Sequence, residues 1–187
     1  MRLIGGKWRA KKLAAPAGDH VRPTSDRARG ALFDVLLHGK PRQAGFRIQN
    51  ARVLDAFAGT GALGLEALSR GAGHATFMDN AAASIRIVKE NIDACNAGTV
   101  ATVLKADAVA PPPAPVSCGL VFLDPPYGQN LMAPALAGLT EQGWIADGGI
   151  CCAELGKAEA FDPPAEFELL DERRYGVARI LLFIRRS

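Results

Sequence analysis

The chain has little of what metal and redox centres are made from. Its four cysteines, Cys95, Cys118, Cys151 and Cys152, lack the C-x-x-C spacing of a zinc or redox site. Cys151 and Cys152 are adjacent in an apolar, strand-like run, which reads as a pair of reduced core thiols. The three histidines, His20, His38 and His74, are scattered through polar or turn contexts, so no metal site is expected. No apolar run approaches the roughly eighteen residues of a membrane helix. The N-terminus has no apolar signal segment, so a soluble cytoplasmic protein with no membrane partner is expected. What is present is ordinary for a globular chain: 49% hydrophobic and 22% charged residues. A length of 187 residues suits one main domain with its own core.

Charge is unevenly placed. Residues 1–30 hold eight lysines and arginines against Asp19 and Asp26, a balance of +6. Residues 31–166 carry nine basic and fourteen acidic residues, or −5, and residues 167–187 return to +2. A basic end on an acidic body points to a polyanionic partner docked at one side. Arg2-Leu3-Ile4, Gly5-Gly6 and Lys7 to Leu13 read as a β-hairpin, the core of an N-terminal extension over residues 1–20. Trp8 stands among Lys7, Arg9, Lys11 and Lys12, a mixture of phosphate-contacting cations and one stacking ring that suits RNA. The plainer alternative is a solvated edge hairpin whose lysines block aggregation.

The main domain is expected over residues 21–187. Thr24 or Ser25 can cap a helix running to about Leu37, with Ala28, Ala31, Leu32, Val35 and Leu36 as its apolar stripe and Arg27 and Arg29 on other faces. Residues 38–50 form a linker. Strands are expected at 52–57, 75–78, 100–104, 120–123 and 150–154, with helices after residue 61, from 82 to 95 and from 130 to 140. A closing antiparallel pair covers 166–173 and 178–184. Alternating strands and helices followed by a terminal hairpin give an α/β, mostly parallel seven-stranded sheet with helices on both faces. The loop from Ala110 to Ser117 holds four prolines; a polyproline ligand is conceivable, but a stiff connector between core strands fits its position better.

Two stretches carry chemistry. Arg52 to Phe57 leads into Ala58-Gly59-Thr60-Gly61-Ala62-Leu63-Gly64, a literal G-x-G-x-x-G between strand and helix. That pattern raises a dinucleotide-binding reading. Asp55, four residues before the first glycine, would face a pyrophosphate unfavourably but would welcome a cationic or amine-bearing ligand. The second stretch is Asp124-Pro125-Pro126-Tyr127, at the carboxyl end of Leu120-Val121-Phe122-Leu123. Its prolines fix their φ angles and remove two donors, leaving a rigid turn that presents a carboxylate, bare carbonyls and a ring. These suit a planar base with an exocyclic amine, although Asp-Pro-Pro is also a good surface turn. Asp55, Asp79, Asp107 and Asp124 follow four successive expected strands, which would align them along one sheet edge.

Taken together these residues resemble the RsmD-like family of class I S-adenosylmethionine-dependent methyltransferases, which methylate guanine N2 of small-subunit ribosomal RNA. The matching stretches are Arg2 to Arg9, Arg22 to Arg27, Leu32-Phe33, Asp55 to Ala72 and Phe122 to Tyr127. The resemblance implies a Rossmann-like fold with S-adenosyl-L-methionine as cofactor. It assigns Asp55, Phe57, Gly59 and Gly61 to the methionine side, Asp79 to the ribose, Asn80 to the flank of the adenine, and Asp107 and Ala108 to the adenine edge. Asp124, Pro125, Pro126 and Tyr127 become the catalytic corner, and Arg2, Lys7, Trp8, Arg9, Lys11, Lys12 and Arg27 the RNA contacts. The implied partner is 16S rRNA, alone or within the small ribosomal subunit, and a monomer is expected. Gly30 stands where the family pattern has Glu, and Asp34 where Asn is usual, on the helix that would cover the methionine end near Arg22 and Thr24. The rival readings are a DNA adenine-N6 or cytosine-N4 methyltransferase, and an NAD-binding oxidoreductase or nucleotide-binding module.

Overall fold

The structure, a computed structural model, describes residues 1–16 and 26–186. Seven strands form one sheet: β1 (Arg52–Ala56), β2 (His74–Asp79), β3 (Ala101–Lys105), β4 (Cys118–Leu123), β5 (Ile145–Gly156), β6 (Phe167–Tyr175) and β7 (Ala178–Arg185). Their spatial order is β3-β2-β1-β4-β5-β7-β6. β1 to β5 are mutually parallel, and β7 is antiparallel to both β5 and β6. The chain winds outward from β1 to β3, then crosses back to lay β4 on the other side of β1. The strand order therefore reverses between β1 and β4, the place where such sheets open a ligand crevice.

The helices are α1 (Asp26–His38), α2 (Lys40–Gln43), α3 (Ala62–Ser69), α4 (Ala82–Ala94) and α5 (Met132–Glu141). Strand alternation divides the core into two layers. Val53, Phe77, Leu120 and Phe122 meet Leu32 and Phe33 of α1, Leu65 and Leu68 of α3 and Val88 and Ile92 of α4. Leu54, Ala56, Val121 and Leu123 meet Leu136 and Leu139 of α5 on the opposite face. The proline loop covers that second face, where Trp144 Nε1 donates to the Pro112 carbonyl at 2.8 Å. It is a packed connector. The far edge strand β6 exposes charged side chains that discourage edge pairing.

The N-terminal hairpin is present but short: the N–H groups of Leu3, Ala10 and Leu13 donate across the arms to Lys11, Leu3 and Met1, around an antiparallel bridge of Arg2 with Lys12 and a 3-10 turn at Gly6–Trp8. The N–H groups of Ile4, Gly5 and Trp8, which do not pair across the arms, donate to Glu66 and Ser69 and dock the hairpin on α3. Three expectations change. β5 begins at Ile145, because Gly148-Gly149 makes an irregularity inside the strand where a break was expected. The linker contains α2, whose Pro41 is buried. Arg29 is not on an open helix face but 1% exposed, held by Asp26 and Glu66. The expected cap at Thr24 or Ser25 lies outside the described residues, as do Arg22 and His20.

Candidate active site

Register places the site. Ala56 is paired with Met78 on one side and Leu123 on the other, and Leu123 with Ala153. One step further along, Asp79, Phe57, Asp124 and Glu154 stand side by side across four strands. Asp55 lies inside β1, one residue before its end and level with Phe77 and Phe122 rather than at the tip. Asp107 stands two residues past β3. All five carboxylates line one cavity of about 970 Å³ over the switch point. That volume is at the upper end for small-molecule sites. Phe57, Gly59, Asn80, Pro125, Pro126 and Tyr127 line it too, whereas Gly61 and Ala108 do not. Ala108 is buried in the α5-side core, and Gly61 caps α3 with its φ at 75°.

The glycine turn is held by acids. Asp79 accepts the Gly59 N–H through Oδ2 and the Ala81 N–H through Oδ1, both at 2.8 Å. Asp55 Oδ2 accepts the Gly64 N–H at 2.8 Å, and the Gly61 N–H goes to the Ala58 carbonyl. Gly64 has no room for a side chain: a Cβ there would lie 2.4 Å from the Phe77 ring. Phe57 takes φ of 64°, a costly conformation for a bulky residue and one that tends to occur where function requires it. Asp55 is 1% exposed. Burial raises its pKa to about 7, the Gly64 N–H opposes the rise, and the nearby Asp79 charge adds to it.

The donor set fits a cation and not a phosphate. Three N–H groups of the glycine turn, those of Gly59, Gly61 and Gly64, are committed to Asp79, Ala58 and Asp55. Of the described lining residues the single cationic side chain is Arg29, already engaged by Asp26 at 2.9 Å. The acids therefore suit a ligand with an ammonium or sulfonium group and ribose hydroxyls. Each Asp79 oxygen keeps acceptor capacity beyond its backbone contact. Among the described residues no cluster of three or more His, Cys, Asp or Glu is arranged to hold a metal ion.

At the proline corner Pro125 is buried while Pro126 and Tyr127 are exposed, Tyr127 by 42%. Its hydroxyl donates to Glu154 Oε1 at 2.5 Å. Partial burial, this bond, and the charges of Glu154, Asp124 and Glu159 all push the phenol pKa upward, so it stays protonated. Glu159 supports the corner from behind, accepting N–H groups of Gly128 and Gly156.

Comparison with known proteins agrees with this geometry. Residues 1–184 match the family described as Conserved hypothetical protein 95. Ribosomal RNA small subunit methyltransferase D of Escherichia coli (strain K12) is 35% identical over 192 residues, covering 100% of this chain and 91% of that protein. The enzyme of the same name in Haemophilus influenzae is 30% identical over 187 residues, covering 98% and 93%. This chain belongs to the RsmD-like family of class I methyltransferases. Among solved structures, the Escherichia coli protein yhhF superposes with a TM-score of 0.85 at 34% identity, over 100% of this chain and 98% of that one. A Thermus thermophilus hypothetical protein gives 0.75 at 31%, over 97% and 98%.

In this RsmD-like chain the basic N-terminal segment is docked on α3 and α4 beside the cavity. Glu66, fully buried, accepts the N–H groups of Ile4 and Gly5 at 2.8 Å and pairs with Arg70 at 2.7 Å. Asn91 accepts the Ala14 N–H at 2.7 Å and donates to the carbonyls of Ala14 and Thr60. The same amide thus touches the N-terminal segment and the glycine turn. Arg2, Lys7, Arg9, Lys11, Lys12 and Arg27 are exposed. Trp8 is half-buried against the core with the Lys7 ammonium 4.3 Å from its ring centroid, so it seats the segment as well as offering a ring. Gly30 faces Ile4, which a Cβ would meet at 3.5 Å. Asp34 is exposed.

Several contributors escape sequence reasoning. Glu154 carries the same signal as the four aspartates, an acid at the end of an expected strand, yet stands outside the set they form. Glu66 and Arg29 give no signal, because nothing local marks a helix charge as buried. Met1 and Leu131, which also line the cavity, are unremarkable in sequence.

Proposed function

We propose that this chain transfers the methyl group of S-adenosylmethionine to the exocyclic N2 amine of a guanine in 16S ribosomal RNA. The observation that carries the reading is a single cavity. It holds the buried acids beneath the glycine turn and, across the switch point, the Asp124-Pro125-Pro126-Tyr127 corner. Asp55, Phe57 and Gly59 would take the methionine end of the cofactor, Asp79 the ribose, and Asn80 and Asp107 the adenine. The cofactor supplies an electrophilic methyl on a sulfonium. No helix among the described residues is long and apolar enough to cross a membrane. We place the protein in the cytoplasm, acting as a monomer on rRNA alone or within the small subunit.

The guanine N2 lone pair is delocalised into the ring. Asp124 and the Pro125 or Pro126 carbonyl would accept its hydrogens, favouring a more tetrahedral nitrogen. As that nitrogen takes the methyl, with the sulfur leaving as a neutral thioether, positive charge grows on the nitrogen; the Asp124 carboxylate would stabilise it, and the surplus N–H proton would pass to solvent. Tyr127 stacks on the base, and alignment of amine with methyl supplies much of the remaining rate. The target base must leave its stack to reach the cavity. The exposed basic residues of the N-terminal segment, together with Arg27, would hold the RNA backbone at the cavity mouth.

Offering labelled S-adenosylmethionine with naked 16S rRNA, small subunits and duplex DNA tests the reading. Label on guanine N2 of rRNA is the expected result; label on DNA alone would replace it with an amino-methyltransferase of DNA.

A further inference from the structure

We infer that Glu154 is a positioning residue for the proposed transfer: by accepting the Tyr127 hydroxyl it fixes the ring that stacks the target base. The inference rests on the reading just given. Glu154 follows Ala153, the register partner of Leu123, and so stands directly beside Asp124 at the edge of the sheet. β5 is paired along both sides there, with β4 and with β7, where Glu154 lies opposite Ile180. Its backbone is therefore held by ladder pairing on both sides. Tyr127, in contrast, belongs to an exposed turn with Gly128 at φ of 73° directly after it. Neither proline before it restrains the aromatic side chain. The 2.5 Å bond to Glu154 is what ties that ring to the sheet.

A second consequence follows from the direction of the bond. The phenol commits its one proton to Glu154, so toward the cavity its oxygen offers only lone pairs. The Asp124 and Glu154 carboxylates add further acceptors at the same corner. Guanine has adjacent N1–H and N2–H donors on its Watson–Crick edge, whereas adenine and cytosine place a ring-nitrogen lone pair beside their amines. A corner rich in acceptors favours the former and disfavours the latter.

The test measures methyl transfer to small subunits or 16S rRNA by Tyr127→Phe, Glu154→Ala, Glu154→Gln and the Tyr127→Phe/Glu154→Ala double variant. Calorimetry of S-adenosylmethionine binding and thermal midpoints accompany it. Tyr127→Phe and Glu154→Ala should each lower kcat by about tenfold or more, as expected for a misaligned reactant. The double variant should lose no more than either one. Glu154→Gln, whose amide oxygen still accepts the hydroxyl, should recover most of the rate, and cofactor affinity and midpoint should be unchanged. Tyr127→Phe keeps the ring and its volume, so it decides the question even if Glu154→Ala folds poorly. Full activity in Tyr127→Phe, losses that multiply in the double variant, or no recovery in Glu154→Gln would overturn the role. Inactivity of the unsubstituted protein on every RNA would instead sink the functional reading itself.

Discussion

Asp55 accepts the backbone N–H of Gly64 at 2.8 Å while buried from solvent beneath the glycine turn. The contact locks the start of α3 to β1, and burial holds the carboxyl at a pKa of about 7 against an ordinary 3.8. Between pH 4 and 7 the unfolded chain has lost a proton that the folded chain retains. The stability of the cofactor-free protein should therefore fall as pH rises through that window and level off above it. A cationic cofactor reverses the preference by favouring the ionised form. Its affinity should increase on the order of tenfold from pH 5.5 to 7, with a proton released on binding. Calorimetry in buffers of different ionisation enthalpy measures both, and Asp55→Asn should bind more weakly with a flat profile. A pH-independent affinity in the unsubstituted protein would contradict this.

Glu66 holds the N-terminal segment from inside the core. Glu66→Gln leaves Arg29 and Arg70 without their buried counter-charge, a loss of about 3–5 kcal/mol by analogy with other broken buried pairs. Urea denaturation should show a midpoint far below that of the unsubstituted chain.

Gly6 has φ of 71°, and a Cβ on it would lie 1.8 Å from the Ser69 carbonyl oxygen. Gly6→Ala should lift the segment from α3. Of the two tryptophans, Trp144 is buried at 2% exposure and far from this change, so a red shift in emission reports Trp8 alone. The shift should be accompanied by weaker RNA binding.

Neutralising Lys7 and Lys11 together tests their pairing with RNA phosphates. RNA affinity should fall, and the slope of log affinity against log salt should become shallower by about 0.7–0.9 for each phosphate no longer neutralised. Cofactor binding should be unaffected.

The sheet was legible because strand-forming runs, glycines and prolines punctuate the chain at nearly every element end. The site was legible where chemistry sits at those ends, at Asp79, Asp124 and the glycine turn. What sequence could not supply was the distant partners of local groups. The first thirteen residues read as a hairpin and their arms do pair, but nothing local shows that a buried carboxylate and a serine more than sixty positions away take the remaining N–H groups and dock it on α3. Likewise, Arg29 looks like a solvated helix charge until α1 packs over Glu66. Glu154 needed only the register of β4 and β5 to be seen beside Asp124.

Asp124→Ala separates chemistry from binding most directly. In a single series, S-adenosylmethionine affinity is measured by calorimetry and methyl transfer to small subunits by label incorporation. Transfer should fall by at least about a hundredfold, as for loss of one charge-stabilising group, while cofactor affinity stays near that of the unsubstituted protein. Undiminished transfer would contradict the account, and so would a collapse of cofactor binding equal to the loss of rate.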